Sequence, residues 1–207
     1  MLLKEITLKN FRQYKGEQNI KFSTDPDKNV TVLLGDNTGG KTTFVQAFRW
    51  VLYEDSNFTG KSTEKNPINI INMDVRKNSR EGDEAEAFVK LNLEHNGIEY
   101  ELVRRAEYVS EISGDLSFVA QTSNISYYDQ NGNRSNKSNF VDKVEEILPH
   151  DLSEYFFFDG EKIANSTKKN NVEEAINSVM GLTVIKNIYN HLVKSRISVY
   201  SQLRESL

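Results

Sequence analysis

Cysteine is absent from the 207 residues. That excludes a disulfide framework and a cysteine nucleophile, and it fits a reducing compartment. Histidine occurs three times, and His95, His150 and His191 stand too far apart for zinc-like spacing. They are read as surface or capping residues. No apolar run is long enough to cross a membrane. The N-terminal "MLLKEITLKNFRQY" has too few consecutive apolar residues for a secretion signal. The expected location is therefore cytoplasmic, with no membrane partner. An excess of positive charge is missing too. Lys and Arg number 26 against 30 Asp and Glu, a formal net charge of −4. No global basic field draws the chain to nucleic acid, so DNA contact needs a local patch or another part of an assembly. Apolar content, at 37%, is on the low side for a globular domain. The length suits one large domain, or one domain with an appendage.

The most informative stretch is "VTVLLGDNTGGKTTFVQAFRWVLY", Val30 to Tyr53. Val30 to Leu34 is a short β-branched and leucine run, which predicts a buried strand. From Lys41 on, apolar residues recur at spacings of three and four, including Phe44, Phe48 and Val51. That predicts a helix with one buried face. Between them Gly35, Gly40, Lys41 and Thr42 fit G-x-x-x-x-G-K-[ST], the P-loop pattern. A phosphate chain must lie against backbone N–H groups at a helix N-terminus, where the dipole is positive. Side chains would block that approach, so glycine is used. Lys41 can reach the β- and γ-phosphates of ATP, and the Thr42 hydroxyl can ligate Mg2+. Thr43 adds a hydroxyl on the α-phosphate side. The competing reading is a Gly-rich turn with an exposed lysine.

Elsewhere the pattern is mostly β. Leu3, Ile6 and Leu8 predict an opening strand, and "NIKF" (Asn19 to Phe22) a second, joined by a turn near Gly16. "EDSNFTGKSTEKNP" is expected to be a mobile surface connection. In "AFVKLNLEHNGIEYELVRRAE" two alternating runs flank Asn96-Gly97, a strong hairpin signal. "NISYYDQNGNR" repeats the theme at Asn131-Gly132. The middle third is expected to be an antiparallel meander. Phe140, Val144, Ile147 and Leu148 predict a helix with Ser138 as N-cap and Pro149 beyond its end. The aromatics Tyr155 to Phe158 are expected to anchor their segment in the core. Residues 172–207 look helical, with a break expected at Gly181. Ile185, Ile188, Leu192 and Val199 form a narrow stripe that suits either the start of a coiled coil or an ordinary surface helix. With no stop signal at its end, that helix is expected to continue. The expected domains are 1–165, globular, and 166–207, helical.

The opening "LKNFRQY", a strand, and then "GDNTGGKTT" resemble the N-terminal half of SMC-like ATPases. These are ABC-class enzymes whose two head halves are separated by a long coiled coil. "YFFFDGEKI" (Tyr155 to Ile163) and "AINSVMGL" (Ala175 to Leu182) look more like the DndD family, the ATPases of bacterial DNA sulfur modification (phosphorothioation). The resemblance covers nearly the whole chain. It implies an α/β P-loop NTPase fold: the N-terminal lobe of an ABC-ATPase head, with an antiparallel β subdomain and a C-terminal helix beginning a coiled coil. It implies Arg12 and Gln13 near the nucleotide and Asn37, Thr38, Gly39, Gly40, Lys41, Thr42 and Thr43 around the phosphates. "FFFDGE" falls where ABC ATPases carry the Q-loop, with Asp159 in the place of glutamine, as a metal ligand or water-positioning group. Lys41 and Asp159 are then the catalytic candidates, and Thr42 and Asp159 the metal ligands. The bland alternative for Asp159 is a helix N-cap.

The loop departs from the usual G-x-N-G-[SA]-G-K of the family. Thr38 stands where glycine is usual, and Gly39 where Ser or Ala is usual. No signature sequence or clear Walker B is visible, although "YFFFDG" could pass for a Walker B with Gly160 in place of the glutamate base. An N-terminal lobe accounts for this, with turnover needing a C-terminal lobe and a second head, in a homodimer. Other expected partners are subunits of a DNA-modification, antiphage-defence or repair complex, with DNA reached through the assembly. Two rival functions stand beside sulfur modification: a DNA-repair ATPase of the SbcC type working with a nuclease, and an assembly module that senses nucleotide without turnover.

Overall fold

Alternation of apolar and polar residues builds one sheet. The computed structural model describes residues 1–36, 39–56, 67–128, 134–135 and 139–157. The chain divides into two compact units, Met1–Pro149 and His150–Leu207. In the first unit lie β1 (Leu2–Phe11), β2 (Tyr14–Lys21), α1 (Lys41–Tyr53), α2 (Met73–Asn78), β3 (Glu84–His95), β4 (Ile98–Ser110), β5 (Leu116–Tyr128), β6 (Arg134–Ser135) and α3 (Phe140–Ile147). The sheet order is β2-β1-β3-β4-β5-β6, and each neighbouring pair is antiparallel. One register row shows why the inner face is a core. Ile6, Leu91, Leu102 and Ile125 stand side by side across four strands. None of the four is more than 2% exposed. Each such side chain contributes roughly 1.5–3 kcal/mol on burial.

The Asn96-Gly97 hairpin forms as expected. Both residues have positive φ, 52° and 76°, as a two-residue primed turn requires. The first hairpin differs from its prediction. It turns at Arg12-Gln13, and β2 starts at Tyr14. Gly16 lies inside β2 at φ 68° and donates its N–H to Asn10 Oδ1. Arg12 holds the turn at φ 52° without being glycine, a conformation that costs roughly 1–2 kcal/mol. Tertiary hydrogen bonds offset this. Arg12 N–H donates to Ile70 O at 2.8 Å, Asn72 N–H to Asn10 O at 2.8 Å, and Asn72 Nδ2 to Arg12 O. Asn72 also caps α2.

Helix α1 packs on β3 and β4. Its apolar face buries Phe44, Ala47, Phe48, Val51 and Leu52. Phe22 stacks against Phe44 and Phe48, with centroids 6.3 and 6.0 Å away, and Trp50 lies 5.3 Å from Phe11. α3 is capped by Asn139, whose side chain accepts from Val141 N–H. The cap is thus one residue beyond Ser138, which lies outside the described residues.

Two expectations are corrected. Val30 to Leu34 forms no strand, and Val30, Val32, Leu33 and Leu34 are 74%, 69%, 41% and 92% exposed. Among the described residues no strand pairs with the run, so the ladder that would bury it is not supplied. The aromatic anchor also fails at Phe156, which is 53% exposed. The second unit, as described, holds a 3-10 turn (His150–Leu152) and α4 (Ser153–Phe156). Asp159, the 165/166 boundary, Gly181 and the apolar stripe beyond it lie outside the described residues.

Candidate functional site

Helix α1 begins without a side-chain cap. Its N-cap is Gly40, at φ 87° and ψ 7°, and no acidic residue stands in its first turn. The first backbone N–H groups of a helix have no intrahelical acceptor. With no acceptor seen among the described side chains, they are the kind of end that can receive an anion. Lys41 and Thr42 are exposed at this end. Lys41 Nζ bends back over the loop and donates to Gly35 O at 2.6 Å and Asp36 O at 2.8 Å. The ammonium therefore sits over the loop that a phosphate would enter. Gly39 N–H closes a turn onto Asp36 O at 3.0 Å, and a Cβ on Gly39 would stand 3.0 Å from that same oxygen. Serine or alanine, usual at this position, would crowd the turn. Asn37 and Thr38 lie outside the described residues.

The turn between β1 and β2 reaches this end through three successive side chains. Arg12 Nη1 donates to Gln46 Oε1 at 2.8 Å. The Thr43 hydroxyl donates to Gln13 Oε1. Tyr14 Oη donates to Gly40 O at 3.1 Å. Positions 46, 43 and 40 are three apart, so they follow one side of the helix. Arg12 and Gln13 are thus brought to the first two turns of α1. Burial lowers the Arg12 pKa below its usual value and raises that of Tyr14. Thr43 is buried, and its proton is directed to Gln13 rather than to the loop.

A nucleotide fits what is present: an uncapped helix start, two glycines tight against their neighbours, and one lysine over the loop. Mg2+ is fitted in part. The Thr42 side chain is exposed beside Lys41. Asp159 lies outside the described residues, and no cluster of three or more His, Asp or Glu able to hold a metal occurs among the described ones.

Sequence reasoning missed Tyr14 and Gln46. Tyr14 was visible only as the last letter of "FRQY"; nothing in periodicity marks a strand's first residue as a partner of a helix cap. It also missed Arg104, which is 4% exposed at the other end of α1. Its Nε donates to Val51 O at 3.3 Å, its Nη1 meets Glu54 Oε2 at 3.3 Å, and its guanidinium lies 5.0 Å over the Phe140 ring. Burial pushes its pKa down to about 10, and the Glu54 charge offsets part of that. No helix among the described residues is long and apolar enough to cross a membrane.

No curated protein matches the chain significantly. A family profile described as an AAA domain does match, over residues 5–207. With a phosphate-loop helix start at Gly40 and Lys41 and a match over nearly its whole length, the chain belongs to the AAA domain family of SMC-like, ATP-binding P-loop ATPases.

Proposed function

We propose that this chain is the ATP-binding N-terminal lobe of an SMC-like ATPase of the DndD type, serving a bacterial DNA sulfur-modification or antiphage-defence complex. The observation that carries the nucleotide part is the glycine-capped start of α1 with Lys41 folded over its loop. The finer assignment rests on the resemblance of "YFFFDGEKI" and "AINSVMGL" to that family.

The chemistry follows from the site. Phosphates lie against the first N–H groups of α1. Lys41 moves its ammonium from the two loop carbonyls to the β- and γ-oxygens, where charge-assisted bonds are stronger. Bound Mg2+ neutralises phosphate charge there, and Thr42 and Asp159 are the residues that would hold it. ATP joins two heads, and hydrolysis parts them. The base that activates water comes from a second lobe. The exposed run Val30–Leu34 favours such a lobe, because its apolar side chains, which pair with no strand among the described residues, suit the addition of neighbouring strands.

Two measurements test this. The isolated chain binds ATP by calorimetry but hydrolyses it at background; robust turnover that Lys41→Ala abolishes would mean the base lies within these residues. Val32→Lys leaves the chain's own stability within about 0.5 kcal/mol, as an exposed substitution should. In the assembled ATPase it abolishes the ATP-dependent rise in gel-filtration mass. A normal rise in that variant removes the strand-addition reading.

A further inference from the structure

We propose that Tyr14 is a positioning residue for the phosphate site, its hydroxyl fixing the Gly40–Lys41 peptide so that the Lys41 N–H faces an incoming phosphate. This rests on the nucleotide reading above and adds a residue to it.

The geometry has three parts. Gly40 O accepts two bonds, from Phe44 N–H at 2.8 Å and from Tyr14 Oη at 3.1 Å. The first is the opening hydrogen bond of α1 and aims the carbonyl along the helix. The second comes from outside the helix and leaves the carbonyl little freedom to tilt. A trans peptide is planar, so its C=O and N–H point in opposite directions. Fixing the Gly40 carbonyl therefore fixes the Lys41 N–H, which points out of the helix start toward the loop. A carbonyl that accepts more strongly also polarises its own peptide, making that N–H a better donor.

Gly40 needs this support. It sits in the left-handed region, where glycine has no Cβ to hold it in one conformation. As a glycine, the N-cap brings no side chain of its own to the helix start. The Tyr14 ring supplies the missing wall: a Cβ on Gly40 would stand 3.2 Å from Tyr14 Oη and 3.3 Å from Cζ. Tyr14 is itself held, because it follows the Arg12-Gln13 turn that Ile70 and Asn72 tie down. A phenol is protonated at neutral pH, and burial raises the Tyr14 pKa further, so the hydroxyl is a donor.

The test is Tyr14→Phe, which keeps the ring and deletes only the donor. Binding of pyrophosphate and of ADP is measured by calorimetry, with Lys41→Ala beside it. The Lys41 amide is followed by 15N-resolved NMR in the free protein. Expected are a roughly five- to tenfold weakening of both ligands, the size of one hydrogen bond, and a shift of the Lys41 amide proton to higher field. A purely structural role would lower the melting temperature and leave pyrophosphate affinity and the Lys41 amide where they were; that result overturns the proposal. If Lys41→Ala also binds like the wild type, the nucleotide reading falls and this proposal with it. Wild-type affinity in Tyr14→Phe alone, with Lys41→Ala inactive, sinks only the role of Tyr14.

Discussion

The two ends of α1 are finished in opposite ways. At its C-terminal end the protein supplies the partners. Glu54, at φ 60°, turns its N–H back to Trp50 O at 3.0 Å, and the Asp55 N–H reaches Arg49 O at 3.4 Å. Arg104 reaches from β4 to the Val51 carbonyl, and Tyr53 Oη donates to Leu148 O at 3.0 Å. A buried cation at a helix C-terminus also complements the dipole. At the N-terminal end the cap is glycine, the first turn has no acid, and Lys41 and Thr42 are exposed. Side chains from the β1–β2 turn hold the flank of that end, and among the described residues no side chain is seen to cap it. A helix whose polar ends were both closed would be only structural. One end closed by side chains and one capped only by glycine is the arrangement that the proposed phosphate site requires.

The largest expected effect breaks the open end. Lys41→Ala should lower ATP affinity by at least about a hundredfold, since two charge-assisted bonds at roughly 1.5–3 kcal/mol each are lost. Its melting temperature should hardly move, because the ammonium's present partners are loop carbonyls at an exposed site. Calorimetry and a thermal melt on the same sample decide this. Equal affinity would remove the phosphate site.

The closed end should respond the other way. Arg104→Ala takes away the donor to Val51 O, the ion pair with Glu54 and the contact with Phe140, and leaves a cavity. A loss of about 2–3 kcal/mol of stability is expected. Nucleotide affinity, measured well below the new melting point, should be unchanged. Arg104→Met refills the volume without a charge that burial opposes, so it should cost less, under about 1.5 kcal/mol. If methionine were as damaging as alanine, the charge rather than the packing would be what closes this end. Denaturant unfolding of both variants provides the comparison.

How much of this was legible in the sequence differs between the ends for a physical reason. The N-terminal end is made of backbone, and a glycine cap is written in glycine spacing, so the start of α1 at Gly40 and Lys41 was readable. The hairpin at Asn96-Gly97 was readable because positive φ selects those residues. The closed end is made of side chains that meet across 50 positions of chain, as Arg104 and Glu54 do. Arg104 stands on the inward row of β4 with Leu102 and Ala106, but alternation alone does not say what a buried guanidinium bonds to. The Arg12 turn was hidden because tertiary hydrogen bonds, rather than a glycine, hold its positive φ. Val30–Leu34 misled in a third way: an apolar run records that a segment wants burial, and says nothing about whether a neighbouring strand is there to bury it.

Glu54 gives the smallest effect and separates the two things the closed end is made of. A non-glycine residue at φ 60° carries a left-handed cost of roughly 1–2 kcal/mol. Its carboxylate is half-exposed, so its pairing with Arg104 is screened on one side and contributes on the order of 1 kcal/mol. Glu54→Gly removes both, and the position after a helix is where glycine is favoured. The two changes oppose each other, and the variant should stay within about 1 kcal/mol of the wild type. Glu54→Gln keeps the strained backbone and an acceptor oxygen but loses the charge facing Arg104, so it should be destabilised by about 1 kcal/mol. Glycine should therefore come out as the more stable of the two in urea unfolding. If glutamine is the more stable, the carboxamide still serves Arg104 and the backbone strain is slight. Neither variant should alter ADP affinity, because a helix of 13 residues at about 1.5 Å per residue puts this cap roughly 20 Å from the phosphate loop.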